Sequence, residues 1–207
     1  MVVRARRVPG GGADTVVKLR PVVPAELPDD LRKSGSFKVE VDCLPGGFVC
    51  SGSLKGKARG DQVRAVAARA MPLRKLFSEE QRGFYEKHAP KKIKLDSLAT
   101  LGPILALKMV FRPQGLDRKV VAEFWLYPDG SRLLEISTKC APADAFNVTA
   151  QLRAYVTKHG VTISSVQETK TKTALEFYSR ELQEKRRSKT GKQRPAARTP
   201  TGDQARI

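Results

Sequence analysis

Apolar and charged residues alternate along the middle of the chain, which is the pattern of half-buried β-strands. Residues 119–127 and 131–139 carry this alternation on either side of Pro128-Asp129-Gly130. Proline presets the first turn angle and glycine accepts a left-handed one, so this tripeptide suits a three-residue hairpin loop. The pattern therefore predicts an antiparallel hairpin whose register is set by the loop, with one apolar face and one charged face.

Like charges face each other on the charged side of this hairpin. The loop pairs Glu123 with Glu135, and it pairs Lys119 with Lys139. Like charges directly opposite on a sheet are unfavourable. A divalent cation between the carboxylates and an anion between the ammonium groups would remove both conflicts.

Two further segments repeat the alternation. Residues 37–42 and 48–57 surround Pro45-Gly46-Gly47, and a turn at Gly46-Gly47 pairs Lys38 with Lys55, Glu40 with Ser53, Asp42 with Ser51 and Cys43 with Cys50. Residues 104–112 predict another strand, with Lys108 and Arg112 on its polar side. If the apolar faces turn outward toward helices, the charged faces converge. The alternative is an ordinary sheet with one solvated face.

The remaining chain predicts helices between groups of strands. Residues 1–34 are rich in Gly, Pro and Arg and predict an irregular segment, apart from a short strand at 15–19. Helices are expected at 61–70, at 78–88 behind a Ser78–Gln81 capping box, from Pro142 to Gly160, and at 174–186, with short strands within 161–171. His88 and His159 fall near helix C-termini. This order favours an α+β fold with an antiparallel sheet.

Charge narrows the class of partner. The formal net charge of +18 predicts acidic partners such as nucleic acid, phosphorylated metabolites or an anionic surface. The chain contains no long apolar run and no secretory signal, and its three cysteines do not make a disulfide framework, so we expect a cytoplasmic protein. The basic C-terminal residues could contact nucleic acid without specificity.

The charged residues suit phosphate chemistry. Lys and Arg bind phosphate oxygens, and Mg²⁺ or Mn²⁺ prefers carboxylate and water oxygens. Cationic side chains and a bound divalent metal together suit phosphoryl or nucleotidyl transfer. Catalysis of these reactions comes mainly from positioning of the substrate and stabilisation of its charge. The candidate metal ligands are Glu123, Glu135 and Glu40. The candidate phosphate-binding residues are Lys55, Lys57, Lys108, Arg112, Lys119, Lys139, Lys170 and Lys172.

The order of these segments resembles the CYTH family, the triphosphate tunnel metalloenzymes. Ser53-Leu54-Lys55-Gly56-Lys57 is similar to the substrate-lysine strand of that family, residues 107–112 to a later basic strand, and Glu123 with residues 134–137 to its metal-carboxylate strands. Residues 169–178 are similar to the closing basic-to-helix segment. The resemblance implies an antiparallel β-barrel tunnel with flanking helices over residues 35–183. Composition predicts the irregular segment at 1–34 before it and a disordered basic tail at 184–207 after it.

The resemblance implies a substrate class and leaves turnover open. A CYTH-like protein would bind a triphosphate-bearing small molecule or polyphosphate with Mg²⁺ or Mn²⁺, and would act as a triphosphatase or an adenylyl-cyclase-like enzyme. The family's N-terminal E-x-E-x-K motif has no match here, because residues 39–43 offer a carboxylate pair without the lysine. A non-catalytic polyphosphate or nucleotide binder and a basic nucleic-acid-binding protein are the alternatives.

Overall fold

The fold is α+β with antiparallel sheets, as the sequence predicts. A computed structural model describes residues 1–44, 47–164 and 170–189. The strands are β1 (Val2–Arg7), β2 (Ala13–Leu19), β3 (Phe37–Leu44), β4 (Gly47–Ala58), β5 (Leu105–Phe111), β6 (Val120–Leu126) and β7 (Arg132–Thr138). The α-helices are α1 (Asp29–Lys33), α2 (Gly60–Ala67), α3 (Glu79–His88), α4 (Ala145–Lys158) and α5 (Lys170–Lys189).

The strands of the described residues form two open sheets and no closed barrel. The first sheet has the order β1-β2-β4-β3, and the second has the order β5-β6-β7. All pairings within them are antiparallel. The antiparallel α+β class is thus confirmed, and the tunnel that the resemblance implies is not found in this part of the chain. None of the described helices is long and apolar enough to cross a membrane.

The first sheet begins at the N-terminus, so the expected irregular segment at residues 1–34 is wrong. Strands β1 and β2 and helix α1 lie within it, and the short strand expected at 15–19 is part of β2. Gly and Pro are confined to the connections between these elements. They hid a partial alternation, in which Asp14 and Lys18 lie on one face of β2 and Val17 and Leu19 on the other.

Helix α3 packs against one face of the first sheet and forms the main core. Val17, Phe37 and Leu54 on the sheet are buried with Phe84 and Tyr85 on the helix. The rings of Phe37 and Phe84 meet edge to face, with centroids 5.6 Å apart. The helix starts with the predicted capping box, in which the Gln81 backbone N–H donates to Ser78 Oγ and the Ser78 N–H donates to Gln81 Oε1.

Gln81 also fastens α3 to the sheet. Its amide Nε2 donates to the carbonyl oxygens of Thr15 and Leu54, at 3.3 Å and 3.2 Å. Its Oε1 accepts the Thr15 hydroxyl at 2.9 Å. A buried amide is costly unless its polar atoms are paired, so this side chain selects one position of the helix across β2 and β4.

The second sheet contains the predicted hairpin in the predicted register. Glu123 pairs with Glu135, and Trp125 pairs with Leu133. Gly130 takes a left-handed φ of 82°, which a glycine tolerates without strain. The Tyr127 N–H donates to the Ser131 carbonyl at 3.0 Å and closes the three-residue loop. The Pro-Asp-Gly interpretation is confirmed.

The β3–β4 hairpin has a different register from the predicted one. Lys38 pairs with Ser53, Glu40 with Ser51, and Leu44 with Gly47. The predicted pairs, including Lys38 with Lys55 and Cys43 with Cys50, are therefore wrong by two positions. Gly47 is paired with Leu44 within the hairpin and so is not part of the turn, contrary to the prediction of a turn at Gly46-Gly47. A shift of the strand pairing by two residues leaves every side chain on the same face of the sheet, because side chains alternate between the faces with a period of two.

Helix α5 begins four residues before its predicted start at 174 and extends past its predicted end at 186. It runs from Lys170 to Lys189, so residues 170 and 171 are helical, and residues 184–189 are not part of a disordered tail. Residues 161–164 are not in a strand. Residues 165–169 and 190–207, on which the other strand and tail predictions fall, lie outside the described residues.

Helix α4 and the two histidines agree with the sequence interpretation. His159 directly follows α4, and Gly160 has a left-handed φ of 78°. His88 is the last residue of α3, and its ring stacks on Phe84 with centroids 4.7 Å apart. Burial lowers the pKa of His88, with the charge of Lys87 as a smaller cause.

The apolar face of the second sheet is not fully covered by helices within the described residues. Leu105, Leu107 and Met109 on β5 are each more than half exposed. β5 is also an edge strand of its sheet. The expectation that every apolar face turns toward a helix is therefore wrong for this strand, and it is also wrong for the end of the β3–β4 hairpin, where Val39, Val41 and Phe48 are exposed.

Replacing Gly56 by alanine tests the docking of α3. A Cβ at Gly56 would lie 2.5 Å from Gln81 Oε1 and 2.7 Å from Thr15 Oγ1. We expect the variant to lose about 2 kcal/mol of unfolding free energy in urea titrations, because the helix must shift or its hydrogen bonds must break. Gly83→Ala in α3 is the control, since nothing lies within 4 Å of its added Cβ. It should be stabilising by about 0.5–1 kcal/mol. Equal effects of the two substitutions would contradict the docking geometry.

Candidate functional site

The face of the first sheet opposite α3 carries most of its charged side chains. Residues directly opposite on neighbouring strands share a face. The register places Lys55 beside Val16, Lys57 beside Asp14, and Lys38 and Lys18 on either side of Ser53. We call this surface the cationic face. Its charged members are Arg4, Arg6, Asp14, Lys18, Lys38, Glu40, Asp42, Lys55 and Lys57.

Ion pairs neutralise the two ends of the cationic face. The Arg6 guanidinium binds the carboxylate of Asp14. Asp42 Oδ2 lies 3.6 Å from Lys18 Nζ and 3.3 Å from Arg20 Nη1. The centre has fewer counter-charges. Lys38, Lys55 and Lys57 form no ion pair with any carboxylate of the described chain.

Glu40 is the carboxylate at the centre. Lys139, which directly follows β7, donates from Nζ to Glu40 Oε1 at 2.8 Å. This hydrogen bond is the main reason why the pKa of Glu40 is lowered, against burial, which raises it. The positive charges of Lys139, Lys55 and Lys18 lower it further. Ammonium groups from β2, from β4 and from the end of the second sheet therefore surround one carboxylate.

The same contact joins the two sheets. Glu40 lies on β3, an edge of the first sheet, and Lys139 follows β7, an edge of the second. A second contact supports the junction, since Cys43 Sγ lies 3.2 Å from Thr149 Oγ1 on α4. The polar side of β3 therefore meets the end of β7 at one ion pair, whereas the Cys43 contact lies on the α3 side of the first sheet.

The second sheet contributes a cross-strand row of charges. Lys108 on β5 is opposite Glu123 on β6, which is opposite Glu135 on β7. We call these three residues the charge row. Lys108 Nζ lies 3.7 Å from Glu123 Oε1, and the Trp125 indole N–H donates to Glu123 Oε2 at 3.4 Å. Lys108 thus offsets part of the repulsion between the facing carboxylates. Lys139 binds Glu40, so the predicted conflict between Lys119 and Lys139 is also relieved by the protein itself.

The three predicted metal ligands do not form one cluster. The described residues include no group of three or more His, Cys, Asp or Glu side chains placed to hold a metal ion. Glu40 is engaged by Lys139, whereas Glu123 and Glu135 face each other on the second sheet. Two facing carboxylates are a donor set that Mg²⁺ accepts when phosphate and water oxygens complete its shell. Lys108 pairs with Glu123 as Lys139 pairs with Glu40, so it is the facing position of Glu123 and Glu135 that makes these two the candidate pair.

The other predicted phosphate-binding residues have separate surroundings. Arg112 Nη1 lies 3.7 Å from Asp117 Oδ1 in the β5–β6 connection. The backbone carbonyl of Lys119 accepts the Thr138 hydroxyl at 2.8 Å. Lys172 lies in α5, where its Nζ is 3.9 Å from Glu176 Oε1. Lys170 and Lys172 both belong to that helix, so the short strands expected within residues 161–171 do not include Lys170.

Sequence reasoning missed the basic residues of β1 and β2. Arg4, Arg6, Lys18 and Arg20 belong to or border the cationic face. The signal that could have found them is the alternation within β1 and β2. The proline and the three glycines at positions 9–12 separate the two strands, and they give the whole region a composition that is typical of an irregular segment.

Helix α5 covers one end of the charge row on the second sheet. Trp125 and Tyr127 are buried against Ala174, with Ile104 and Leu133 packed beside them. The Tyr178 hydroxyl donates to the Pro103 carbonyl at 2.7 Å. Burial is the main cause that raises the pKa of Tyr127. Trp125 is therefore a packing residue beneath α5, and its N–H contacts the charge row.

Comparisons of the chain with protein-family models, with curated proteins and with solved structures found no match. The resemblance to CYTH proteins stays a prediction from sequence.

Substitution of Ala174 by arginine tests how α5 covers the charge row. Trp125 is the only tryptophan of the chain, so its fluorescence reports this contact. We expect Ala174→Arg to shift the emission to longer wavelength and to increase quenching by acrylamide, because a charged side chain cannot occupy the buried position of Ala174. Ser179→Arg, at an exposed position of the same helix, should leave both unchanged. An unchanged spectrum in Ala174→Arg would show that α5 does not cover Trp125.

Proposed function

We propose that the cationic face binds the phosphates of a triphosphate-bearing small molecule. The observation that carries the proposal is the group of ammonium ions around Glu40. Lys18, Lys55 and Lys139 converge there from both sheets, and Lys38 and Lys57 lie on the same face without a carboxylate partner in the described chain.

The electrostatics of this group favour a polyanion. One carboxylate among several ammonium groups leaves a local excess of positive charge. Phosphate oxygens compensate several cations at once, and charge-assisted hydrogen bonds to phosphate are shorter and stronger than neutral ones. Ser51 and Ser53 are buried beneath these lysines. A linear triphosphate has enough oxygens to contact lysines that belong to different strands.

The charge row suits a divalent cation bound beside the phosphates. Glu123 and Glu135 would hold Mg²⁺ or Mn²⁺, which, when bound, neutralises phosphate charge and polarises a phosphoryl oxygen. Lys108 would then adjust its contact with Glu123, since both compete for the same carboxylate. Phosphate binding is the step common to hydrolysis, to cyclisation and to binding without turnover. Release of phosphate or pyrophosphate separates these three.

Removing two lysines tests phosphate binding directly. We expect Lys55→Met with Lys57→Met to weaken tripolyphosphate binding by about 30-fold in calorimetric titrations, because two charge-assisted contacts are lost. Lys75→Met with Lys91→Met is the matched control, since both lysines are exposed and lie outside the cationic face. It changes the net charge by the same amount. Equal weakening in both double variants would reduce the interaction to non-specific attraction by net charge and would refute the proposed site.

Two carboxylate variants separate metal binding from charge compensation. Glu40→Gln should tighten tripolyphosphate binding several-fold without metal, because it removes the negative charge at the centre of the ammonium groups. Glu123→Gln with Glu135→Gln should abolish any increase in affinity produced by Mg²⁺ or Mn²⁺. Loss of the metal effect in Glu40→Gln, with its retention in the other variant, would reverse the assignment of ligands.

Nucleic acid is the competing class of partner. It was predicted from the net charge and from the basic C-terminal residues, of which 190–207 lie outside the described part. Nucleic-acid binding that depends on these residues should weaken steeply with salt and disappear when 190–207 are deleted. Tripolyphosphate binding at Lys55 and Lys57 should survive that deletion.

A further inference from the structure

A separate cavity lies between the β5–β6 connection and the C-terminal half of α4. Its volume is about 830 Å³, within the range of small-molecule sites. Its lining includes Asp117 and Arg118 of the connection and Tyr155, Lys158 and His159 at the end of the helix. None of them belongs to the cationic face or to the charge row.

Arg118 is the feature of this cavity that points to a ligand. Its Nε is buried and has no hydrogen-bond partner. No described carboxylate forms an ion pair with its guanidinium, because the neighbouring Asp117 is fully exposed and is oriented to Arg112 at 3.7 Å. A guanidinium that is partly withdrawn from water without an acceptor is unfavourable. An anionic group in the cavity would pair with the terminal nitrogens of this guanidinium, since arginine binds carboxylate and phosphate in a fork.

The α4 side of the cavity adds aromatic rings and a second cation. The rings of Tyr155 and His159 stack with centroids 4.2 Å apart and an interplanar angle of 32°. His159 Nδ1 donates to the Tyr155 carbonyl at 2.8 Å, which fixes the ring and leaves Nε2 as its other polar atom. Lys158 is exposed beside them. This combination provides a flat apolar surface next to positive charge.

We propose that this cavity binds a small aromatic anion. The carboxylate or phosphate of the ligand pairs with Arg118 and Lys158, and its ring packs against Tyr155 and His159. The site is separate from the proposed triphosphate site, and its occupation does not depend on Lys55 or Lys57.

Phenyl phosphate and methyl phosphate are the two probes. Both carry a phosphate, and only phenyl phosphate carries an aromatic ring, so their affinities show what the ring contributes to binding. Calorimetric titration of the full chain, with tripolyphosphate present to occupy the cationic face, should give saturable binding of phenyl phosphate. Methyl phosphate should bind at least tenfold more weakly, because it lacks the ring. Equal affinities for the two probes, or no saturation by phenyl phosphate, would overturn the proposal.

Three variants locate the binding. Arg118→Met and Lys158→Met should each weaken phenyl phosphate at least tenfold, whereas Arg153→Met, an exposed arginine of α4 that does not line the cavity, should have no effect. Lys158 is exposed, so its variant keeps the test valid if Arg118→Met fails to fold.

The two proposed sites are distinguished by crossing the variants. Lys55→Met with Lys57→Met should retain phenyl phosphate binding, and Arg118→Met should retain tripolyphosphate binding. Loss of phenyl phosphate binding in the lysine double variant would place it on the cationic face and would refute the second site. Failure of tripolyphosphate binding alone would leave the second site standing.

Discussion

The amide of Gln81 determines which face of the first sheet is left for charged side chains. Its oxygen and nitrogen are paired with Thr15 on β2, with the Leu54 carbonyl on β4 and with the Ser78 N–H that caps the helix. These partners come together only when α3 crosses the sheet at β2 and β4. Since a buried amide without partners costs free energy, the helix is held on the Phe37 and Leu54 side. The lysines of the alternate positions must then lie on the other side.

The second sheet contacts the cationic face at Glu40. Lys139 reaches Glu40 from the end of β7, the strand that also carries Glu135 of the Lys108–Glu123–Glu135 row. An exposed ion pair contributes little stability by itself. Its importance is geometric, because it shows that side chains of both sheets meet around one carboxylate. The proposed binding of a triphosphate depends on this convergence and does not require a closed barrel.

Local patterns predicted the elements whose register is set within a few residues. The Pro128-Asp129-Gly130 loop was sufficient to place Glu123 opposite Glu135, and the Ser78–Gln81 capping box was sufficient to start α3. The β3–β4 register was wrong by two positions because adjacent glycines allow two turn positions that place the same side chains on each face. The face of Lys55 was therefore predicted correctly, although its partner was not.

Other features depend on contacts between distant segments. Lys170 and Lys172 alternate with threonines like a strand, but Lys172 is also four residues from Glu176, which suits a helix. In the helix that residues 170–189 form, Ala174 packs on Trp125. The pairing of Glu40 with Lys139 spans about half of the chain, and no short-range pattern specifies it. The same holds for the cavity at Arg118, which joins a loop to a helix that follows two strands later.

Zero-length cross-linking with a carbodiimide tests the meeting of the two sheets most directly, because it joins a carboxylate to an amine only when they are in contact. At low protein concentration, mass spectrometry of the digested monomer should identify an amide between Glu40 and Lys139. The Lys185–Glu181 pair, whose charged atoms lie 3.4 Å apart within α5, is the internal standard for the reaction. Recovery of the α5 cross-link without the Glu40–Lys139 cross-link would show that the charged faces do not converge.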